Sequence, residues 1–219
     1  MAAFFCPPGV YRPQTDTAVL TAVLQHGGYA RGRDVLDVGT GSGALALAAS
    51  QAGAASVTAV DLSRRSVAAA WFNSRLHGVR VSVRRGDLFE PVADRRFGLI
   101  VANPPYVPAE TDALPRHRIA RCWDGGLDGR AVLDRICDGA AARLTDDGVL
   151  LMVHSALCGA DATIARLAAA GMAATVLHRA RIPFGPVMHA RAATLQLRGL
   201  LAAGETLEEL VVVEARRAR

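Results

Sequence analysis

The sequence contains no lysine, and all 25 of its basic residues are arginine. Chemistry that needs a lysine side chain, such as a Schiff base or the ammonium of a phosphate-binding loop, is therefore excluded. The formal charge of +5 by itself suggests a nucleic acid or an anionic surface as partner. Arginine used throughout, together with abundant alanine, is also typical of a GC-rich coding bias. The charge alone therefore does not identify a partner.

Cysteines and long apolar runs are also scarce. Cys6, Cys122, Cys137 and Cys158 form no Cys-x-x-Cys pair, so the sequence predicts neither a metal site nor a disulfide framework. The N-terminus lacks the cationic region of a signal peptide, and the apolar run at residues 149–153 is far too short to span a membrane. We therefore expect a cytoplasmic, soluble protein without a membrane segment.

The composition is that of a globular protein with a sizeable core. The chain has 219 residues, of which 51% are hydrophobic and 21% charged, which indicates a single domain and excludes disorder. Short β-type runs alternate with helical patterns, as in a parallel sheet built from βαβ units. We predict strands at residues 34–38, 56–60, 79–83, 97–102, 149–154, 174–182 and 210–215, and helices at 44–51, 64–77, 130–144, 161–170 and 189–203.

A glycine-rich loop follows the first predicted strand, with the sequence Asp37-Val38-Gly39-Thr40-Gly41-Ser42-Gly43. Glycines let the backbone turn sharply and approach a ligand at the start of a helix. Asp61 ends the second strand, where a carboxylate can accept both hydrogen bonds of a ribose diol. Residues 39, 41 and 44 also satisfy the Gly-x-Gly-x-x-Ala dinucleotide pattern, so NAD stays open at this point.

Two further carboxylates favour a different nucleotide cofactor. Asp37 directly precedes the loop, where a carboxylate suits an ammonium or sulfonium group better than a pyrophosphate. The segment Gly86-Asp87-Leu88-Phe89 follows the third strand at the carboxyl edge of the sheet, which is where ligands of open α/β sheets bind. Asp87 can there accept a hydrogen bond from an adenine amino group.

The segment Asn103-Pro104-Pro105-Tyr106 comes directly after the fourth predicted strand. The two prolines fix the backbone and remove two donors, which leaves carbonyl oxygens free to accept. The Asn103 side-chain oxygen and the Pro104 carbonyl can then hold one NH2 group, and Tyr106 offers a flat face to a planar amide or base. The arrangement needs no general base, because the nitrogen becomes acidic only as a new bond to it forms. Catalysis would depend mainly on proximity and alignment.

With these residues in hand, the chain resembles the class I S-adenosylmethionine-dependent methyltransferases that act on amino or amide nitrogens. Within them it resembles the HemK/PrmC glutamine methyltransferases, and their short Mtq-type branch in particular. The resemblance covers residues 8–182. It is carried by the lead-in Val-Tyr-Arg-Pro-Gln-Thr-Asp-Thr at 10–17, by the segment at 86–89 together with the one at 103–106, and by Trp-Asp-Gly-Gly-Leu-Asp-Gly-Arg at 123–130.

The resemblance implies a fold, a cofactor and a set of site residues. The fold would be a single doubly wound, Rossmann-like α/β domain at 34–219, its seven-stranded sheet mostly parallel with an antiparallel last strand, preceded by a cofactor-covering lead-in at 1–33. The cofactor would be S-adenosyl-L-methionine, and no metal is expected. The residues expected to contact the cofactor are Tyr11, Thr17, Asp37, Gly39, Thr40, Gly41, Gly43, Asp61, Leu62, Asp87, Leu88 and Asn103. The residues expected to hold the target nitrogen are Asn103, Pro104, Pro105 and Tyr106.

The acceptor is less well defined by the sequence. A glutamine of a protein such as a release factor is the leading candidate, although only 33 residues precede the first strand, where bacterial relatives carry a docking domain. An exocyclic amine of RNA or DNA is less favoured, because no nucleic-acid module is apparent and a paired base would have to be flipped out. A small metabolite and a non-catalytic binding protein also stay open. A dehydrogenase would need a proton-transfer residue, for which His154 is the obvious candidate.

Two surface features bear on partners. Eukaryotic relatives work with a small activator subunit, for which the strand at 79–83 would be the natural docking edge, although Arg80 and Arg84 make it less inviting. Residues 162–204 contain five arginines and no acidic residue. That stretch is expected to form either a basic cap over the target site or a solvated helix face.

Overall fold

The structure is a computed structural model that describes residues 4–112 and 119–218. In this part of the chain, strands alternate with helices as the sequence predicts. The strands are β1 (Asp34–Val38), β2 (Ser56–Asp61), β3 (Ser82–Arg85), β4 (Phe97–Ala102), β5 (Leu144–Ser155), β6 (Met172–Pro183) and β7 (Leu207–Arg217). The helices are α1 (Thr15–His26), α2 (Ala44–Gln51), α3 (Arg64–Leu76), α4 (Leu133–Arg143), α5 (Ala160–Ala169) and α6 (Pro186–Leu197), with short 3-10 turns at Glu90–Val92, Ile119–Cys122 and Ala156–Cys158.

All seven strands belong to one sheet, in the order β3-β2-β1-β4-β5-β7-β6. The first five pair in parallel, whereas β7 runs antiparallel between β5 and β6. The predicted fold class is thereby confirmed. No helix in residues 4–112 or 119–218 is long and apolar enough to cross a membrane.

The strand order reverses between β1 and β4. From β1 the chain moves outward through β2 to β3, and it then returns to place β4 on the other side of β1. Right-handed crossovers in opposite directions put their helices on opposite faces of the sheet and open a crevice between the two strands. Val38 at the end of β1 pairs with Ala102 at the end of β4. The glycine loop and the Asn-Pro-Pro-Tyr segment therefore leave the sheet side by side.

The core consists mainly of the central strands. Every residue of β4 is buried, and Val149–Val153 of β5 are fully buried. Such continuous apolar runs are typical of parallel strands that are covered on both faces. Helix α1 adds to this core, since it packs against α2 and β5 and its Leu20 and Leu24 are fully buried. No helix was predicted for this segment. The predicted boundary between a lead-in at residues 1–33 and a methyltransferase domain at 34–219 stays a prediction.

Element boundaries differ from the prediction where local hydrogen bonds compete with the regular pattern. The third strand was predicted at residues 79–83 but is Ser82–Arg85, because the Val79 amide donates to the Ser74 carbonyl and closes the end of α3. The predicted last helix at 189–203 is wrong at both ends. Pro186 begins that helix, and Gly199, with φ of +69°, follows its end.

Candidate active site

A cavity of about 880 Å³ opens at the carboxyl ends of β1, β2 and β4. This volume is in the range of small-molecule and cofactor sites. All four residues predicted to hold the target nitrogen line this cavity, namely Asn103, Pro104, Pro105 and Tyr106. Ten of the twelve residues predicted to contact the cofactor also line it, namely Tyr11, Thr17, Gly39, Thr40, Gly41, Asp61, Leu62, Asp87, Leu88 and again Asn103. The structure thus brings these residues together, while their contacts with ligands stay predictions.

The glycine loop has the left-handed backbone that its sequence predicts. Gly39 and Gly41 have φ of +73° and +55°, and nothing described lies within 4 Å of the place where a Cβ on Gly39 would stand. Asp61 closes the loop from the neighbouring strand, since its Oδ2 accepts from the Gly41 amide at 2.9 Å and its Oδ1 from the Ser63 amide at 2.8 Å. Burial raises the pKa of Asp61 against the effect of these hydrogen bonds.

Asp37 and Gly43 lie behind the cavity wall. Asp37 is fully buried, and its Oδ2 accepts from the Thr40 hydroxyl at 2.6 Å and from the Ala46 amide at 3.0 Å. Its Oδ1 is buried and has no hydrogen-bond partner among the described residues, and burial raises the pKa of this carboxyl to about 7. Gly43 caps α2, where a Cβ would come within 3.1 Å of Ala70 on α3.

The turn after β3 carries the one described non-glycine residue with positive φ, Leu88 at +47°. Such backbone strain in a residue that lines a cavity is often found at functional sites. Asp87 also lines the cavity, but its Oδ2 accepts from Arg135 of α4 at 2.8 Å. Arg135 was missed by the sequence analysis, since a lone arginine in a helix carries no local signal.

The lead-in segment is tied to the site through Asp16. This buried carboxylate accepts from the Tyr11 hydroxyl at 2.7 Å, the Thr17 amide at 2.6 Å and the Tyr106 hydroxyl at 3.2 Å. Burial and the charge of Asp16 raise the pKa values of both tyrosines well above the usual range. Both hydroxyls therefore stay protonated and keep donating to Asp16.

Asn103 is oriented by the same segment. Its Nδ2 donates to the Thr17 hydroxyl at 3.1 Å, so the amide oxygen is the end left to act as an acceptor. Pro104 behind it is buried, and Tyr106 is 8% exposed with its hydroxyl fixed by Asp16. The segment thus places a fixed amide beside a buried aromatic ring, and its role as a pair of acceptors stays a prediction.

The glycine turn at residues 123–130 packs against the Asn-Pro-Pro-Tyr segment. The Val107 amide donates to the Trp123 carbonyl and the Gly125 amide to the Val107 carbonyl, which joins the two loops. Gly129 has φ of +78°, and a Cβ there would stand 2.3 Å from the Tyr106 carbonyl oxygen and 2.7 Å from the Cys158 sulfur. The position therefore requires glycine for both backbone conformation and space.

Helix α6, inserted between β6 and β7, forms the wall beyond the Asn-Pro-Pro-Tyr segment. Met188 and Val187 line the cavity, and Arg191 holds the helix in place by pairing with Asp124 and donating to the Pro108 carbonyl. Each of the five arginines of the 162–204 stretch has an ion pair or a backbone hydrogen bond within the chain; they are Arg166, Arg179, Arg181, Arg191 and Arg198. The stretch is therefore not a free basic cap.

His154 does not serve the dehydrogenase alternative. It is fully buried on β5, its Nδ1 lies 2.8 Å from the Ser155 carbonyl oxygen, and it is not among the residues that line the cavity. Burial lowers its pKa to about 4, so the ring is neutral at physiological pH. Its side chain is part of the core.

The cavity fits S-adenosylmethionine by its own chemistry. Directly behind the glycine loop, the Oδ1 of Asp37 is a buried acceptor that no described residue satisfies, and this is the group predicted to bind the ammonium of the cofactor. Asp61 presents carboxylate oxygens at the end of β2, where a ribose diol would be held, and the open space above Gly39 allows close approach of a ligand. Asp87 and Leu88 lie at the next strand end, where an adenine would be placed.

A family model, the methyltransferase small domain, matches residues 3–119. A protein of Methanocaldococcus jannaschii named as a putative protein N5-glutamine methyltransferase is 33% identical over 83% of this chain and 90% of its own length. A release factor glutamine methyltransferase of Geobacter sulfurreducens is 37% identical over 77% of this chain and 61% of its own length. A ribosomal protein uL3 glutamine methyltransferase of Bradyrhizobium diazoefficiens is 48% identical, but over only 53% of this chain and 39% of its own length. The chain thus spans only part of the latter two relatives.

Among solved structures, the E. cuniculi Mtq2–Trm112 complex, described as methylating the eRF1 translation termination factor, contains a similar chain. The TM-score is 0.67 at 23% identity, and the match covers 96% of this chain and 99% of that one. At this identity the likeness shows the fold alone.

Proposed function

Since this chain belongs to the S-adenosylmethionine-dependent methyltransferases, in the family of protein glutamine methyltransferases, we propose that it methylates the side-chain nitrogen of a glutamine in a translation release factor. The observation that carries the proposal is the Asn-Pro-Pro-Tyr segment beside the glycine loop, with the Asn103 amide fixed by Thr17. A release factor acts where translation takes place, so a cytoplasmic location is part of the proposal.

The residues of the site explain how an amide nitrogen can react. S-adenosylmethionine, when bound, supplies an electrophilic methyl group. The Asn103 side-chain oxygen and the Pro104 carbonyl accept the two N–H groups of the glutamine amide and hold its nitrogen with the lone pair directed toward the cofactor. The Tyr106 ring packs against the plane of the amide. Because both acceptors are held rigidly, alignment supplies most of the rate enhancement.

The cofactor is held by groups on three strand ends. Asp37 and the glycine loop after β1 take the methionine part, Asp61 after β2 takes the ribose, and Asp87 with Leu88 after β3 takes the adenine. The lead-in segment closes over it through Tyr11 and Thr17, both of which Asp16 holds in place.

Replacing Asp61 tests the cofactor part of the proposal. Asp61→Ala removes both ribose acceptors and the hydrogen bonds to Gly41 and Ser63, so we expect S-adenosylmethionine to bind about 10- to 100-fold more weakly. Calorimetric titration measures the change. The matched control is Asp34→Ala at the opposite end of β1, where the carboxylate contacts Ser56. Equal affinities of the two variants would contradict the assignment.

The acceptor is tested with purified proteins. We expect the chain to transfer labelled methyl groups from S-adenosylmethionine to a purified release factor, and mass spectrometry of the product to locate N5-methylglutamine in its Gly-Gly-Gln loop. A release factor with that glutamine replaced by alanine is the control and should stay unlabelled. Labelling of another acceptor by the same preparation, with the unaltered release factor left unlabelled, would overturn the proposed substrate.

Other acceptors are outcomes of the same experiment. One relative is named for methylating a glutamine of ribosomal protein uL3, so purified uL3 should be assayed beside the release factor. Labelling of cell extract that disappears after nuclease treatment would indicate an exocyclic amine of RNA or DNA instead. Labelling confined to small molecules would indicate a metabolite.

A small partner subunit is the remaining part of the proposal. Strand β3 is an edge strand of the sheet, and next to it α3 exposes Trp71, Phe72 and Leu76 by 52%, 45% and 58%. Phe5 of the lead-in packs edge-on against Phe72 and extends this apolar surface. Exposed apolar side chains beside a free strand edge suit a protein that adds a strand. Full activity of the chain purified alone would exclude an obligatory partner.

A further inference from the structure

One buried carboxyl group in the cavity lining has none of the roles described so far. Glu208, near the start of β7, is 6% exposed and lines the cavity together with Met188 of α6 and Tyr106. One of its oxygens is held by the Ser155 side chain, whereas Oε1 is buried and hydrogen-bonds to no described residue. A buried polar atom without a partner costs free energy, so its retention beside a ligand cavity points to a function.

The surroundings of this carboxyl favour its neutral form at pH values below about 7. Burial and the negative charge of Asp16 raise the pKa of Glu208 to about 7, against the smaller opposing effect of the Ser155 hydrogen bond. The other titratable groups whose charge couples to it, Tyr11, Tyr106 and Cys158, are themselves neutral, since burial raises the pKa of each. No cation is recorded as acting on it among the described residues. The neutral acid is a hydrogen-bond donor.

The hydroxyl groups beside Asn103 are not free to donate to a bound carboxamide. A carboxamide has two N–H donors, which Asn103 and Pro104 would take, and one oxygen that needs a donor. The hydroxyls of Tyr11, Thr17 and Tyr106 are already directed at Asp16. The O–H of Glu208 is thus available.

We propose that Glu208 is a substrate-binding residue that, as a neutral acid, donates a hydrogen bond to the oxygen of the acceptor carboxamide while Asn103 holds its nitrogen. This assignment rests on the proposed function and names the feature by which the site selects its acceptor. A carboxamide has an acceptor oxygen next to its NH2 group, and a simple amine has none. A site built to donate to that oxygen discriminates against simple amines, because its polar group would then be left unpaired.

The test compares Glu208→Leu with Glu208→Gln on a purified release factor. Glu208→Leu removes the donor, and we expect kcat/KM for the release factor to fall about 10- to 100-fold. Glu208→Gln retains an N–H donor in nearly the same shape, so we expect its kcat/KM to stay within about threefold of the unaltered enzyme. Glu209→Leu, on the opposite face of β7, is the matched control and should leave activity unchanged, since Glu209 pairs with Arg179 outside the cavity.

A pH profile separates this role from a structural one. In the unaltered enzyme the donor is lost as Glu208 ionises, so kcat/KM should fall as the pH rises through about 7. Asp37 titrates in the same range, but its ionisation would strengthen binding of the ammonium group and so raise activity with pH. The contribution of Glu208 is therefore the difference between the pH profiles of the unaltered enzyme and Glu208→Gln. S-adenosylmethionine affinity and the melting temperature should not fall in Glu208→Leu, since an apolar side chain suits a buried position.

Each result has a definite meaning. Glu208→Leu as active as the unaltered enzyme, or Glu208→Gln as impaired as Glu208→Leu, would overturn the assignment. Loss of melting temperature and of cofactor binding in both variants would also overturn it, in favour of a structural role. If the unaltered enzyme neither binds nor methylates the release factor, the proposed function fails first. If the unaltered enzyme does methylate the release factor, the results of the two variants test the role of Glu208 alone.

Discussion

Asn103→Ala is expected to lower kcat for methyl transfer about 100- to 1,000-fold while S-adenosylmethionine binds within a few-fold of its original affinity. In the proposed mechanism the side-chain oxygen of Asn103 is one of two acceptors for the reacting nitrogen, and loss of one positioned polar group in a catalytic site has effects of this size. The variant leaves Asp37, Asp61 and Asp87, the carboxyl groups proposed to bind the cofactor, unchanged. Single-turnover methylation of the release factor measures the first quantity, and calorimetry the second.

Two further variants make this result specific. Thr17→Val removes the hydroxyl that accepts from Asn103 Nδ2, so the amide loses its fixed orientation and we expect a smaller fall in kcat. Gln25→Ala removes an exposed amide from α1 and is expected to have no effect. Normal methylation by Asn103→Ala would refute the mechanism and support a non-catalytic binding role for the chain.

Gly129→Ala is expected to lower the free energy of unfolding by about 2–5 kcal/mol and methyl transfer by about 100-fold. The new Cβ would stand 2.3 Å from the Tyr106 carbonyl oxygen, and the backbone has φ of +78°. Either the glycine turn or the Asn-Pro-Pro-Tyr segment must therefore shift. Denaturant unfolding and the methylation assay give the two numbers.

Gly171→Ala separates the two causes of this effect. Gly171 has nearly the same φ, +79°, but nothing described lies within 4 Å of its added Cβ. This variant should lose only the conformational part, about 1–2 kcal/mol, and should retain its activity. Equal losses in both variants would show that the contact with Tyr106 is unimportant.

Local signals in the sequence were strong enough to predict the parts of the fold on either side of the crevice. Strands β1 and β4 and helix α2 begin and end at the predicted residues, since apolar runs and glycines mark their ends. Helix α3 begins after Ser63, whose side chain accepts from the Ser66 amide as a cap. Strand β3 was predicted too early in the chain, because the alternating apolar pattern already begins at Val79. The amide of Val79 instead hydrogen-bonds to Ser74 at the end of α3.

Other parts of the site depend on contacts that no local pattern carries. Arg135 meets Asp87 across 48 residues of chain, and Tyr106 meets Asp16 across 90. In the sequence, Asp16 is one residue of the lead-in segment and Glu208 lies next to Glu209. Neither position carries a local pattern that predicts a site residue. Both are ordinary carboxylates in sequence, and burial in the fold gives them their chemistry.

The chemical groups of the site could be identified from the sequence alone, namely the glycine loop, the carboxylates at strand ends and the Asn-Pro-Pro-Tyr segment after a buried strand. The lack of lysine and the charge of +5 left the partner open. The tertiary structure was needed to show that the arginines of residues 162–204 are already paired and that α6 and Glu208 line the same cavity as the Asn-Pro-Pro-Tyr segment. The physical reason is that hydrophobic periodicity is a local property, whereas the pairing and desolvation of a charge depend on which distant elements the sheet topology brings together.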